Sequence, residues 1–252
     1  MAQYNKIAEK YAEERKDKKE FNYNNCIEIP NMIKFVGDIK GKRILDLGCG
    51  FGDHAKIYVQ KGAKEVVGLD ISKELIAMAK KRNIKRTSFM TYNLNKKLPF
   101  LNDSFDIVTS SLTINYIRKF NQLFKEVNRV LKKNGFFILS IGNPVFDAAI
   151  KRKVKEGYEY ILGVKKISEF KREIYGNYFD ESLRKMDLGN GKILKLYTRT
   201  YQTIIKTFLK NNFELIDYID AKPIPSSKEI NPSKYELTSR IPTFSFFKLK
   251  KK

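Results

Sequence analysis

From Arg43 onward, short and nearly unbroken apolar runs alternate with stretches of helical spacing: RILDLG, HAKIYVQKG, EVVGLD, KELIAMAKKR and TSFMTYNL follow one another between residues 43 and 94. Apolar runs of this length, bounded by turn residues, are strands buried on both faces, and strands separated by helices assemble into a parallel sheet. The rhythm continues with FDIVTSS as a fourth strand, FNQLFKEVNRVLKKNG as a helix stopped at Asn-Gly, and FFILSI as a fifth strand. Residues 144–200 break the pattern, being rich in charge and aromatics such as Tyr160, Phe170, Tyr178 and Phe179, and read as an inserted cap. Thr200 then caps a helix running to about Lys210, and ELIDYI and TFSFFKL close the chain as two further strands. Ahead of the alternation, Tyr4, Ile7, Ala8 and Tyr11 share one helical face within residues 4–20, and a second helix covers Ile29 to Val36 with Pro30 in its first turn.

The bulk properties restrict what such a chain does. At 252 residues with 42% hydrophobic content, it has material for one large core. Its longest strongly apolar stretches, such as Phe136 to Ile141, are far shorter than the roughly 20 residues that span a bilayer. With no apolar signal region at the start, the reading is of a cytoplasmic protein without a membrane span. Two cysteines and a single histidine make no zinc set, so no metal is expected and both thiols are read as reduced.

A formal charge of +22 invites a nucleic-acid partner. The surplus is nevertheless spread along the chain, and 39 lysines outnumber 11 arginines, whereas phosphate- and base-reading surfaces favour the guanidinium fork. With 19 asparagines as well, a compositional bias accounts for the lysines at least as well, and nucleic acid is possible but not favoured.

The segment Asp46-Leu47-Gly48-Cys49-Gly50-Phe51-Gly52 leaves a strand and opens a helix, the setting in which a glycine-rich loop brings backbone close to a ligand. A dinucleotide site wants a further glycine where this chain has Asp53, and a carboxylate there repels a pyrophosphate. A cofactor with a cationic amino-acid tail instead turns Asp46 into an attraction. Asp70, ending the second strand, can accept both hydroxyls of a ribose, which fits an adenosine ligand without saying which one, and Asn93 ends the third strand where an adenine edge would lie.

Taken in order, RILDLGCGFG, GLDIS, the N-L-x-x-x-LPF stretch at 93–100, FDIVTSS and NRVLKKNGFFILSI resemble the successive motifs of class I S-adenosylmethionine-dependent methyltransferases. The resemblance implies an α/β, Rossmann-like, doubly wound, mostly parallel seven-stranded sheet with an antiparallel last strand and a cap insertion between strands 5 and 6. It divides the chain into an N-terminal helical lid (1–40), a cofactor-binding core (41–143 and 201–252) and a cap or substrate insertion (144–200). The implied cofactor is S-adenosyl-L-methionine, with Asp46, Gly48, Gly50 and Gly52 along its methionine end, Asp70 on ribose, Ile71, Asn93 and Leu94 around adenine, and Ser110 of FDIVTSS in the same set.

SIGNP, TRTYQTIIKTFLKNNFELID and RIPTFSFFKLK are similar to the distal segments of a small-molecule-methylating branch, which has histidine where this chain has Asn115 and Asn143. No base is carried over at those positions. Methyl transfer is an in-line displacement that positioning alone can accelerate. His54, the lone histidine, is expected to pack near the cofactor or face solvent. Asn115 and Tyr116 beyond the fourth strand, and Asn143 beyond the fifth, are the candidates on the acceptor side, because ligands of open α/β sheets lie past the strands' carboxyl ends. The expected activity is methyl transfer to a small-molecule acceptor. An RNA-directed methyltransferase and a catalytically inactive cofactor-binding scaffold stay open as alternatives, a nicotinamide-dependent oxidoreductase ranks below them, and oligomeric state is open.

Overall fold

A computed structural model describes residues 3–17, 19–155, 157–187 and 193–252. A 3-10 turn at Gln3–Ile7 leads into α1 (Ala8–Lys16) and α2 (Ile29–Val36), and the core then alternates β1 (Arg43–Leu47), α3 (Asp53–Gln60), β2 (Glu65–Asp70), α4 (Lys73–Lys81), β3 (Thr87–Thr91), β4 (Phe105–Ser111), α5 (Phe120–Val130) and β5 (Leu131–Gly142). After the short α6 (Pro144–Asp147) come three hairpins, β6 (Ile150–Val154) with β7 (Gly157–Ile161), β8 (Gly163–Lys166) with β9 (Arg172–Tyr175), and β10 (Leu183–Asp187) with β11 (Ile193–Tyr197). The chain finishes with α7 (Tyr201–Lys210), β12 (Phe213–Asp220), α8 (Ser227–Ile230), α9 (Pro232–Arg240) and β13 (Phe244–Lys251).

Seven strands form one sheet in the order β12-β13-β5-β4-β1-β2-β3. The first five run parallel, and β13 alone is antiparallel to both of its neighbours, as the family resemblance implies. Both faces are covered, which explains why the central strands lack polar alternation. On one face Leu45, Leu47 and Val108 pack under α5 and α7. There Phe124 meets Phe137 at 5.2 Å and Phe208 at 5.3 Å between ring centroids. On the other face Ile44, Val66, Ile107 and Ile138 pack under α2, α3 and α4. Cys26 and Cys49 are both free and buried.

Two elements depart from the sequence reading. Residues 4–20 are not one helix: the 3-10 turn precedes α1, which stops when the Asp17 side chain accepts the Lys19 N–H at 2.7 Å. The fifth helix ends at Val130 and not at Asn-Gly, because Leu131 is fully buried and pairs with Phe105 in the sheet. Asn134, at φ 63°, and Gly135 sit within the irregular start of β5, where an added Cβ on Gly135 would come 2.9 Å from the Lys132 carbonyl. The cap expected at Thr200 is present, accepting from the Thr203 N–H at 3.1 Å, and Ser72 caps α4 in the same way, accepting from the Leu75 N–H at 3.2 Å. No described helix is long and apolar enough to cross a membrane.

Candidate functional site

Strand β1 lies between β4 and β2, where the sheet's connections change direction, and such a switch point opens a crevice beyond the strands' carboxyl ends. The loop from Asp46 to Gly52 lines it. Gly48 adopts φ 76°, and a Cβ there would fall 1.9 Å from Thr113 Oγ1, so the residue is glycine for close packing. Gly50, at φ 54°, has nothing within 4 Å of its missing Cβ: its α-carbon faces open space, as a ligand cradle requires. Its N–H donates to Asp70 Oδ2 at 3.0 Å, while the Ser72 N–H donates to Asp70 Oδ1 at 2.8 Å. Asp70 is therefore fixed at the end of β2 with lone pairs left over. Gly52 caps α3 against the Phe89 ring.

Asp46 is almost wholly buried. Thr109 Oγ1 donates to its Oδ1 at 3.1 Å, and its Oδ2 has no partner. Burial pushes the carboxyl up to about 6, against the pull of His54 and the Thr109 bond. A buried carboxylate oxygen with no donor is unfavourable, and a cation arriving there removes the penalty.

His54 neither faces solvent nor packs as a neutral core ring. Its Nε2 lies 3.0 Å from Glu28 Oε2, both side chains are buried, and Ser140 Oγ donates to Glu28 Oε1 at 2.8 Å. Burial alone would raise Glu28 and lower His54, yet their mutual attraction reverses both directions, so the pair is ionic. Asp53, set against a pyrophosphate on sequence grounds, is held by Arg15 at 3.2 Å and Arg82 at 2.7 Å. Its charge is neutralised locally, which leaves Asp46 as the group that opposes an anionic cofactor.

Further along the crevice, Ile71 is exposed and Leu94 buried. Asn93 spends its Oδ1 on the Asn95 N–H at 3.0 Å and on Asn95 Nδ2 at 3.2 Å, so its acceptor is committed within its own turn. Ser110 does not join this group: it is fully buried and donates to the Leu47 carbonyl at 3.3 Å on the opposite face of β4 from Thr109. The amino-terminal segment lies over the loop. Tyr11 packs edge-on against Phe51 at 5.9 Å and against Tyr4 at 5.3 Å. Tyr4 OH meets Tyr116 OH at 3.1 Å, and Ser72 Oγ donates to Asn5 Oδ1 at 2.7 Å. Gln3 exchanges two hydrogen bonds with the backbone of Lys195 in β11.

At the acceptor end, Asn143 is committed to structure. It is buried, caps α6 by accepting from the Val145 and Phe146 N–H groups, and donates to Tyr201, Asp220 and Ser245. Asn115 is different: its Nδ2 makes one long bond to the Tyr197 carbonyl at 3.4 Å, and its Oδ1 is buried without a partner. Tyr116, held in its phenol form by burial, titrates only near about 12. Two residues unmarked in the sequence join it here, Asp147 in α6 and Arg199 between β11 and α7, both lining a cleft with Asn115. Their only sequence signal is position, one just past the fifth strand and one just before the helix that follows the cap. Among the described residues no cluster of potential metal ligands occurs.

Comparison with known proteins identifies the family and the fold. A family model described as a methyltransferase domain matches residues 45–139. An uncharacterised protein of Haemophilus influenzae is 32% identical over 198 residues, covering 76% of this chain and 75% of its own. Among solved structures, a protein from Listeria monocytogenes superposes with a TM-score of 0.74 at 29% identity, covering 89% of this chain and 96% of its own. An S-adenosylmethionine-dependent methyltransferase from Mesorhizobium loti gives 0.71 at 25% identity, covering 88% and 96%. Other curated relatives are matched over less than two thirds of their length. One of these is a malonyl-[acyl-carrier protein] O-methyltransferase of Legionella pneumophila, 32% identical over 108 residues, 42% of this chain and 38% of that protein.

Proposed function

We propose that this chain, which belongs to the class I S-adenosyl-L-methionine-dependent methyltransferases, moves the cofactor's methyl group to a small-molecule acceptor held beyond β4 and β5. One observation carries the cofactor assignment on structural grounds: the unpartnered Oδ2 of buried Asp46 beside a Gly50 whose α-carbon faces open space. An ammonium satisfies that oxygen, whereas a pyrophosphate does not. Asp70 then accepts the ribose hydroxyls, and Ile71, Asn93 and Leu94 border the base. The cofactor supplies a methyl carbon already activated by a sulfonium leaving group.

The residues of the chain contribute positioning and exclusion of water. Tyr4, Tyr11 and Phe51 roof the loop, and residues 3–16 act as a lid in this reading, with the hairpins of residues 150–197 as the cap on the acceptor side. A small-molecule acceptor is supported by the narrowness of the cleft. The test is calorimetric titration with S-adenosylmethionine, S-adenosylhomocysteine and NAD in parallel. The first two should bind and NAD should not, and the opposite ranking refutes the assignment. Bulk RNA methylated in preference to small molecules, with affinity falling steeply as salt rises, would move the acceptor to the nucleic-acid class.

A further inference from the structure

We infer that the methyl acceptor is a hydroxylated organic anion, its anionic group seated on the Arg199 guanidinium and its hydroxyl proton passing to the Asp147 carboxylate. The inference rests on the methyl-transfer reading above. The cleft that Asn115, Asp147 and Arg199 share is otherwise apolar, with Ile114, Phe120, Leu139 and Pro144 among its walls. Asp147 and Arg199 are the charged groups of that lining, yet they do not form an ion pair with one another. Opposite charges that share a low-dielectric cleft without pairing are complementary to a ligand with two ends.

Arg199 stacks over Phe120 at 4.3 Å and donates to the carbonyls of Ile117 at 2.5 Å and Ile114 at 3.5 Å. Among the described residues it has no carboxylate within ion-pair distance. Glu181, whose charge it feels, spends Oε1 on Thr200. Two of five guanidinium N–H donors are thus committed, and the planar fork suits a carboxylate or phosphate. Burial pulls Arg199 down to about 10, so it stays cationic near neutrality.

Asp147 is the counterpart. Neither carboxylate oxygen has a hydrogen-bond partner among the described residues, and space for the group exists only because residue 142 is glycine, where a Cβ would stand 2.5 Å from Asp147 Oδ2. Burial pushes Asp147 up to about 6 against the pull of Arg184, so it is ionised and basic near pH 7. Tyr116, whose own titration feels Asp147, adjoins it just past β4.

In the transfer an acceptor oxygen lone pair forms the new C–O bond as the C–S bond breaks. The bonding electrons stay on sulfur, which becomes a neutral thioether, and the hydroxyl proton goes to Asp147 and then to solvent. As it stands the cleft's interior, about 10 Å³, has room for about one water. The proposed acceptor therefore requires the cleft to widen when it binds.

The test uses the full chain with S-adenosylmethionine and a panel of probes: 3-hydroxybutyrate, salicylate and 4-hydroxybenzoate, each beside its uncharged alcohol or phenol and its deoxy acid. Binding is measured with S-adenosylhomocysteine present, and turnover by labelled methyl transfer. At least one hydroxy acid should bind roughly tenfold or more tighter than its uncharged analogue and be methylated, while its deoxy acid binds without turnover. Arg199→Gln should weaken that binding by about 10- to 100-fold, with partial rescue in Arg199→Lys. Asp147→Asn should leave the anion's Kd within about threefold while kcat drops about 100-fold or more and the acidic limb of its pH profile disappears. The inference is overturned if no hydroxy acid outbinds its uncharged analogue, if Arg199→Gln binds the anion unchanged, or if Asp147→Asn keeps kcat. S-adenosylmethionine affinity, measured on every variant, separates the outcomes: retained with those failures it spares the methyl-transfer reading, and absent from the parent it sinks both.

Discussion

Replacing Asp46 by asparagine removes the charge on which the cofactor assignment turns, and the structure fixes what that charge does to the empty protein. Burial lifts the carboxyl from an ordinary 3.8 to about 6. Roughly two pKa units, at about 1.4 kcal/mol each, amount to about 3 kcal/mol of preference for the protonated form in the folded state. The sign follows from linkage: a raised folded-state value adds stability below 3.8 that is lost as pH climbs to about 6, so above that the ionised parent carries the whole penalty. An uncharged amide at this position carries none. It must find an acceptor for its N–H groups, which costs about 1 kcal/mol at any pH and cancels when two pH values are compared. Between about pH 4.5 and about pH 7, Asp46→Asn should therefore gain about 2 kcal/mol over the parent, read as the change in their urea-unfolding difference. The variant should meanwhile hold S-adenosylmethionine about 10- to 100-fold more weakly, the worth of a charge-assisted hydrogen bond. A stability gap that does not change between the two pH values refutes the argument, because the penalty would then not come from ionisation.

The loop glycines should fail in different ways: Gly48→Ala, whose Cβ meets Thr113 at 1.9 Å, should lower unfolding stability by about 2 kcal/mol or more through the clash, whereas Gly50→Val, which has room but is β-branched at φ 54°, should lose about 1–2 kcal/mol to backbone strain and should also lose cofactor affinity by calorimetry. Glu28→Gln strands the His54 cation and should destabilise by about 3–5 kcal/mol in denaturant titration, and the Glu28→Gln/His54→Gln double variant should recover much of that loss. Phe124→Ala empties the centre of the aromatic cluster under α5 and should lower stability by about 3–5 kcal/mol without altering the cofactor's Kd.

The strands, the glycine loop and the cap at Thr200 are legible because each is written within a few neighbouring residues. Leu131 shows where that fails: Leu-Lys-Lys continues a helical pattern locally, but pairing with Phe105 draws Leu131 into the sheet. Ser110 was legible in principle. Side chains alternate faces along a strand, and since Thr109 stands opposite Asp46 in register, its neighbour must point away. The Glu28–His54 pair and the Arg15–Asp53–Arg82 cluster join residues far apart in the chain, and nothing local marks them. Asp147 and Arg199 escape notice for the same reason, since what distinguishes them is a missing partner, visible only once the strand ends and the segment after β11 are brought together.

Three consecutive residues near the amino end fasten to three separate places: Gln3 to Lys195 in β11, Tyr4 to Tyr116 past β4, and Asn5 to the cap of α4 at Ser72. Each bond is worth on the order of 1 kcal/mol, so they break by local fraying well before the core unfolds. Because they share one short stretch of backbone, they give way together, like teeth of one zipper. Loosening at this one stretch therefore reaches β11, the turn past β4 and the start of α4 at the same moment, although the three places lie far apart in the chain.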